Sequence, residues 1–347
     1  MRELHGRVVI LVLDGFGPEF VRPDLTPTMV RLASSGTLAP VGGLADLVAS
    51  TGPGHATLLT GTRGTVHGVL ANRVLDADGV PTSAVSVSVP TIVDRARGAG
   101  CSTAMVVSDP DIITTVHGAR ADFCWPGGDE ARRLADPRTG YVPDERTLET
   151  LIGRIDAGCD LIVGQLQETD TAAHGDGIDG ERAMEAYRTA DRAVGQVAAA
   201  LARDWERTLL LVVSDHRAEN VVSAEPVTLG VELDGQATVI EDGSAALIWP
   251  TQPDLAAMLR RALNCPGVAA LTPTDGPYYV AWAEPGRAFG RERPILSRST
   301  HGNVTTRPCL TLLAGGHPAV ATLGPAIRRS PPPLWIWANV VAQVIGT

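Results

Sequence analysis

The chain has 347 residues and a formal net charge of −10. That length is enough for one large core, or for a core carrying a smaller insertion. The acidic balance leaves no footprint for a nucleic-acid polymer as partner. All 29 basic side chains are Arg, because the sequence contains no Lys, so any scheme that needs a Lys is excluded.

The first apolar run, 8–13, is short and meets Asp14 at once, so no secretory leader is expected. Nothing approaches the roughly 20 apolar residues of a membrane span. Five cysteines are scattered without CxxC spacing, which reads as reduced thiols of a cytoplasmic protein. No signal for oligomeric state is present.

In chain order, RVVILVLDG is a continuous apolar run ending in an acid and a glycine, the pattern of a parallel strand buried on both faces. A helix is predicted over 27–35, and Thr51 opens another at GHATLLTG. A helix over 90–99 precedes the strand STAMVVSD, and a helix over 145–155 precedes the strand DLIVGQLQ. A long amphipathic helix covers 181–203, with Ala186, Ala190, Ala193, Val194 and Val197 at helical spacing, before the strand TLLLVVSD. Strands alternating with helices predict an α/β fold with a doubly wound, mostly parallel sheet flanked by helices. The rhythm breaks over 219–297, which reads as a small inserted α+β cap; the core is then 1–218 and 298–347. The sheet resumes at PCLTLLAG. A final helix, PLWIWANVVAQVIG, is read as core packing and not as a membrane anchor, because it is short and lacks basic neighbours.

In a doubly wound sheet, sites form at the carboxyl ends of strands. Asp14, Asp170 and Asp215 stand at or just past such ends, with His174, His216 and His301 as imidazole companions. One hydroxyl, Thr51, sits at a helix start where free N–H groups suit an anionic phosphate. A hydroxyl with hard oxygen and imidazole ligands is the equipment of a two-metal phosphoryl-transfer site. Taken alone, Thr51 reads as an ordinary N-cap, and Asp14 as a solvated strand-end acid.

The segments VVILVLDGFG, TGPGHATLLTG, HGVLANRV, DTAAH, VVSDH and STHGN together resemble the alkaline phosphatase superfamily, in its nucleotide pyrophosphatase/phosphodiesterase branch, in that family's order and over nearly the whole chain. The resemblance implies an alkaline phosphatase-like fold and Thr51 as nucleophile. It implies Asp170, His174 and His301 on one metal, and Asp14, Asp215, His216 and Thr51 on the other. The ligand chemistry suits two divalent ions, zinc first, with manganese or iron as substitutes. The resemblance also implies Asn72 as donor to a non-bridging phosphoryl oxygen; a neutral donor matches the single charge of a diester. It makes His55 and His67 structural. Asp109 and Asp111 read as loop acids. Phe16, Arg73 and Arg217 are candidates for substrate contact, and Arg217 stands where the family has Gly.

The expected function is therefore metal-dependent hydrolysis of a phosphodiester or pyrophosphate bond in a small, nucleotide-like phosphate ester, through a phospho-threonine. Phosphomonoester hydrolysis is the alternative. Phosphonate hydrolysis ranks lower, because phosphonoacetate hydrolase binds its carboxylate with a Lys that this chain lacks. A non-catalytic binding relic requires the loss of a ligand or of the nucleophile, and none is lost.

Overall fold

The computed structural model describes residues 6–75, 81–82, 86–117, 120–251, 254–291 and 294–347. Its centre is a seven-stranded sheet in the order Thr37–Leu38, Thr311–Ala314, Thr208–Val213, Arg7–Leu13, Leu161–Leu166, Thr103–Val107, Phe123–Trp125. The five strands from Thr208–Val213 to Phe123–Trp125 are parallel. The other two are antiparallel: Thr311–Ala314 runs against Thr208–Val213, and Thr37–Leu38 against Thr311–Ala314.

The apolar run at the N-terminus becomes the strand Arg7–Leu13, buried at every position. Its side chains alternate between two cores. Val8, Ile10 and Val12 face the helices Thr51–Thr60, Ile92–Gly98 and Ile336–Ile345 through Leu58, Leu59, Ile92 and Trp337. Val9, Leu11 and Leu13 face the helices Pro27–Ser35, Asp144–Asp156 and Glu181–Ala200 through Met29, Leu151, Tyr187 and Val194. Helices on both faces explain why this strand shows no polar alternation. Leu334 and Trp337 are buried in the first core, so the aromatic C-terminal segment packs inward. Among the described residues, no helix is long and apolar enough to cross a membrane.

The first helix spans Pro27–Ser35, as the sequence predicts. The expected long helix 181–203 ends earlier, at Ala200, and continues as the short 3-10 turn Ala202–Arg207. A further helix, Pro318–Arg329, carries Pro325 in its interior, which hides it from a propensity reading.

Within 219–297 lies a second, antiparallel sheet of four strands, in the order Ala237–Asp242, Ala245–Pro250, Tyr279–Ala283, Val268–Pro273. One face is covered by Leu255–Asn264 through Met258 and Ala262. The other face packs Ile240, Ala245, Leu247 and Val280 directly on Val48 and Ala71 of the main body. This second contact sets the sheet against the start of the helix that carries Thr51.

Candidate active site

Three carboxylates meet where parallel strands end. Asp14 follows the strand Arg7–Leu13, and its backbone N–H donates to Leu166 O at 3.0 Å. Asp215 lies two residues past the strand Thr208–Val213, and Asp170 lies in the first turn of the helix Glu168–Asp176, which follows Leu161–Leu166. The register aligns Val12 with Val213 and Leu13 with Leu166, so the three chain ends arrive at the same level. The Thr169 hydroxyl donates to the Asp14 carbonyl and ties two of these ends together.

Among the described residues three overlapping groups of ligand-type atoms result: Asp170, His174 and His301; Asp14, Asp170 and His216; and Asp14, Asp215 and His55. They gather around two centres. In the first, Asp170, His174 and His301 bring one ligand atom each to within 4.8 Å of one another. His174 Nε2 lies 3.4 Å from Asp170 Oδ2, one helical turn away. In the second, His216 Nε2 is the hub: Asp14 Oδ1 lies at 3.4 Å, Asp215 Oδ2 at 3.5 Å and Thr51 Oγ1 at 3.4 Å. The His216 and His301 rings stack with centroids 4.1 Å apart and join the two groups.

These atoms are buried and incompletely paired. Asp14 Oδ1, Asp170 Oδ1, Asp215 Oδ2 and His301 Nδ1 are buried with no hydrogen-bond partner. Buried carboxylate oxygens in such proximity are costly unless a cation joins them. Burial, then the neighbouring Asp215 and Asp170, hold the Asp14 carboxyl well above its ordinary pKa, with only Gln165 opposing. Burial, then His216 and His174, push His301 well below its ordinary value. Crowded carboxyl groups beside imidazoles are the donor set a pair of divalent ions takes.

The hydroxyl is presented by the helix Thr51–Thr60, whose N-cap Ser50 is extended at φ −144° and ψ 168°. Gly54 lets this helix approach the loop that carries Asp215: a Cβ there would lie 2.6 Å from Asp215 Cβ. Asn72 Oδ1 accepts the Gly52 N–H at 2.7 Å, which turns Asn72 Nδ2 away from the helix. Beside Thr51 is a cavity of about 240 Å³, lined among others by Asn72, Arg73, Asp109, Asp111 and Tyr141.

Several sequence readings change here. Phe16 does not reach this cavity: it is fully buried and meets Tyr187 edge-on at 5.2 Å, so it is a core residue. Arg217 points elsewhere too, pairing through Nη1 with Glu19 Oε1 at 3.2 Å. Arg73 is exposed on the cavity wall. Asp109 and Asp111, read as loop acids, line the cavity, and burial is the largest cause raising the Asp109 pKa to about 6. His55 is buried with Nδ1 2.9 Å from Thr51 O and 3.5 Å from Asp215 Oδ2, and it brings a ligand-type atom to within 4.8 Å of Asp14 and Asp215, nearer the site than its structural reading implies. His67 Nε2 lies 3.0 Å from Thr57 Oγ1, inside the helix packing.

Sequence reasoning missed three side chains. Gln165 Nε2 donates to Asp14 Oδ2 at 3.0 Å. Tyr141 faces the cavity. Asp242, from the second sheet, accepts from both Ser50 and Asn72. The first follows a strand alternation that the sequence does show; the other two are brought in by long-range packing that leaves no local mark.

The sequence model of the type I phosphodiesterase/nucleotide pyrophosphatase family matches residues 8–281. The chain belongs to this family. Among curated proteins it is similar to the bis(5'-adenosyl)-triphosphatase enpp4 of Xenopus laevis, at 21% identity over 93% of this chain and 73% of that one. Among solved structures it resembles murine ectonucleotide pyrophosphatase/phosphodiesterase 5, at TM-score 0.77 and 18% identity, with 98% of this chain and 95% of that chain covered. The same murine protein in an inactive form, in complex with AMP, matches at TM-score 0.77 and 16% identity over the same shares. The human counterpart matches at TM-score 0.75 and 15% identity, again over 98% and 95%. These similarities give the alkaline phosphatase-like α/β fold, and family membership makes the chain a metal-dependent hydrolase of phosphodiester or pyrophosphate bonds.

Proposed function

We propose that Thr51 is the nucleophile of this hydrolase, that Asp170, His174 and His301 hold one divalent ion, and that Asp14, Asp215 and His216 hold the other together with Thr51. The observation that carries this reading is the Thr51 hydroxyl at a helix N-terminus, 3.4 Å from His216 Nε2, within the second ligand group. Zinc suits the mixed imidazole and carboxylate set. When bound, the two ions supply charge neutralisation at the phosphoryl group and a lowered pKa for the attacking hydroxyl.

The chain's own residues do the rest. Thr51 Oγ1 forms the new bond to phosphorus as the bond to the leaving oxygen breaks, giving phospho-threonine; water then cleaves that ester and restores the hydroxyl. Asn72 Nδ2 hydrogen-bonds a non-bridging oxygen, and the hold of Asn72 Oδ1 on Gly52 keeps that donor aimed outward. Three carboxylates against two dications leave about one positive charge, which matches a singly charged diester. The cavity beside Thr51, lined by Tyr141 and Asp109, receives the rest of the substrate. The AMP complex of the murine relative makes a nucleoside 5'-phosphate ester the first class to try.

The test compares bis-p-nitrophenyl phosphate, the p-nitrophenyl ester of thymidine monophosphate and p-nitrophenyl phosphate, with added zinc or manganese. Higher kcat/KM on the diesters supports the reading; a preference for the monoester favours phosphomonoesterase, for which Arg73 on the cavity wall is the available cation. A cytoplasmic location remains part of the proposal, on five unpaired cysteines, and cell fractionation tests it.

A further inference from the structure

We infer that Asp242 is a positioning residue for phosphoryl transfer: it reaches from the second sheet and fixes the turn that carries Asn72 and the start of the nucleophile helix. This rests on the reading of Asn72 as the phosphoryl-oxygen donor.

Asp242 ends the strand Ala237–Asp242 and is buried. Its Oδ2 accepts two hydrogen bonds, from Ser50 Oγ at 2.8 Å and from the Asn72 backbone N–H at 2.8 Å. Both donors belong to the main body, and each touches a different part of the phosphoryl site. Ser50 is the N-cap of the helix that opens with Thr51, yet its side chain makes no capping bond. An N-cap serine ordinarily accepts a helix N–H. Here the hydroxyl donates to Asp242 instead, and Asn72 Oδ1 takes the Gly52 N–H. The helix is therefore capped by Asn72, and the backbone of Asn72 is anchored by Asp242. Through Asn72, one buried carboxylate thus sets both partners of the attack: the amide that receives the phosphoryl oxygen, and the Gly52 N–H at the start of the hydroxyl's helix.

The same hairpin turn reaches the metal-ligand side. Ser244 donates to His301 O through its N–H at 2.7 Å and its Oγ at 2.8 Å. Gly243, at φ +61°, makes room for this approach, since a Cβ there would collide with the His301 carbonyl. Asp242, Gly243 and Ser244 form a brace between Asn72 and His301. A buried acceptor serving two N–H and O–H donors is costly to remove, because both donors are left unpaired.

Both donors use one oxygen, so Asp242→Asn can keep them with its own Oδ1, whereas Asp242→Ala cannot. The test is a double-mutant cycle on the metal-loaded protein, with kcat and KM on bis-p-nitrophenyl phosphate, metal content and melting temperature for each variant. Asp242→Ala is expected to lower kcat/KM about thirtyfold, chiefly through kcat, with metal content unchanged. Asp242→Asn is expected to stay within about fivefold of the parent. In an Asn72→Ala background, Asp242→Ala is expected to cost under about threefold more, because its effect passes through Asn72.

Equal losses from Asp242→Ala in both backgrounds overturn the inference, as does Asp242→Asn losing as much as Asp242→Ala. If Asp242→Ala does not fold, Ser50→Ala replaces it in the cycle, with the same non-additivity expected and additivity overturning. A full rate for Asn72→Ala alone removes the reading of Asn72, and this inference with it. A slow Asn72→Ala with additive Asp242→Ala removes this inference only.

Discussion

Asn72 Oδ1 holds the Gly52 N–H at 2.7 Å, one residue past the hydroxyl of Thr51. The carboxamide has one acceptor and two donors, so this bond decides which end faces the substrate. Asn72→Ala is expected to cost diester hydrolysis about 2–4 kcal/mol in kcat/KM, the scale of an oxyanion donor. Asn72→Asp keeps an acceptor for Gly52 but places a negative charge against the phosphoryl group, and is expected to cost at least as much. Steady-state kinetics on matched p-nitrophenyl esters measure both. An Asn72→Asp protein faster than Asn72→Ala would show that the side chain only caps the helix.

Thr51 has two candidate roles, helix cap and nucleophile. Ser50 occupies the N-cap position, so the Thr51 hydroxyl is not required there and turns toward His216. Thr51→Ala is expected to lower turnover by at least two to three orders of magnitude, roughly the loss of a covalent nucleophile, with an unchanged fold. Thr51→Ser is expected to retain part of the rate. Trapping the phosphoryl group with its retained ester substituent on the protein during diester turnover, then mapping it by mass spectrometry, is expected to place the adduct at Thr51; a labelled residue elsewhere would refute the role.

Most of this architecture is legible in the sequence because its signals are local. A strand buried on both faces must be apolar throughout, and RVVILVL is apolar after its first residue. The ligand-type residues follow such strands at short range, so Asp14, Asp170 and Asp215 could be placed at sheet ends before any contact was known. Asp242 could not, because its importance lies in contacts 192 residues from Ser50 and 170 from Asn72. The four-stranded sheet that carries it has no long apolar run to announce a role in the site. Phe16 shows the opposite failure. It stands two residues beyond Asp14, and nearness in sequence suggests a shared site. The chain turns at Gly15, and the ring returns to the core beside Tyr187 and Phe20.

The placement of Phe16 makes a prediction. A fully buried Phe cut to Ala leaves a cavity, with a cost of about 3–5 kcal/mol of stability. KM is expected to change little, since the ring does not line the cavity beside Thr51. Urea denaturation and steady-state kinetics on Phe16→Ala separate the outcomes; an unchanged stability with a raised KM would return Phe16 to the substrate pocket.

With Asp14 as a proposed ligand, metal binding and pH are expected to be coupled through its carboxyl group. Burial and the carboxylates of Asp215 and Asp170 hold its pKa well above the usual range, so in metal-free protein the folded state prefers to keep a proton there. The sign follows: metal-free stability falls as pH rises, because ionising Asp14 adds charge to a crowded, buried site. A bound ion reverses that penalty, and protons compete with it as pH falls. His301 is shifted the other way, by burial and by His216 and His174, so it stays in its neutral ligand form further into acid. Asp14 is therefore expected to fail first as a ligand on acidification. Zinc at about a hundredfold excess over its Kd stabilises by about 2.7 kcal/mol. The gap in melting temperature between zinc-loaded and chelator-treated protein is expected to be widest near about pH 8 and to narrow toward about pH 5.5. In Asp14→Asn the gap is expected to be small at both. Calorimetric scans of both proteins, with and without chelator, give the four gaps directly; a parent gap that is absent, or that widens in acid, would remove Asp14 from the metal site.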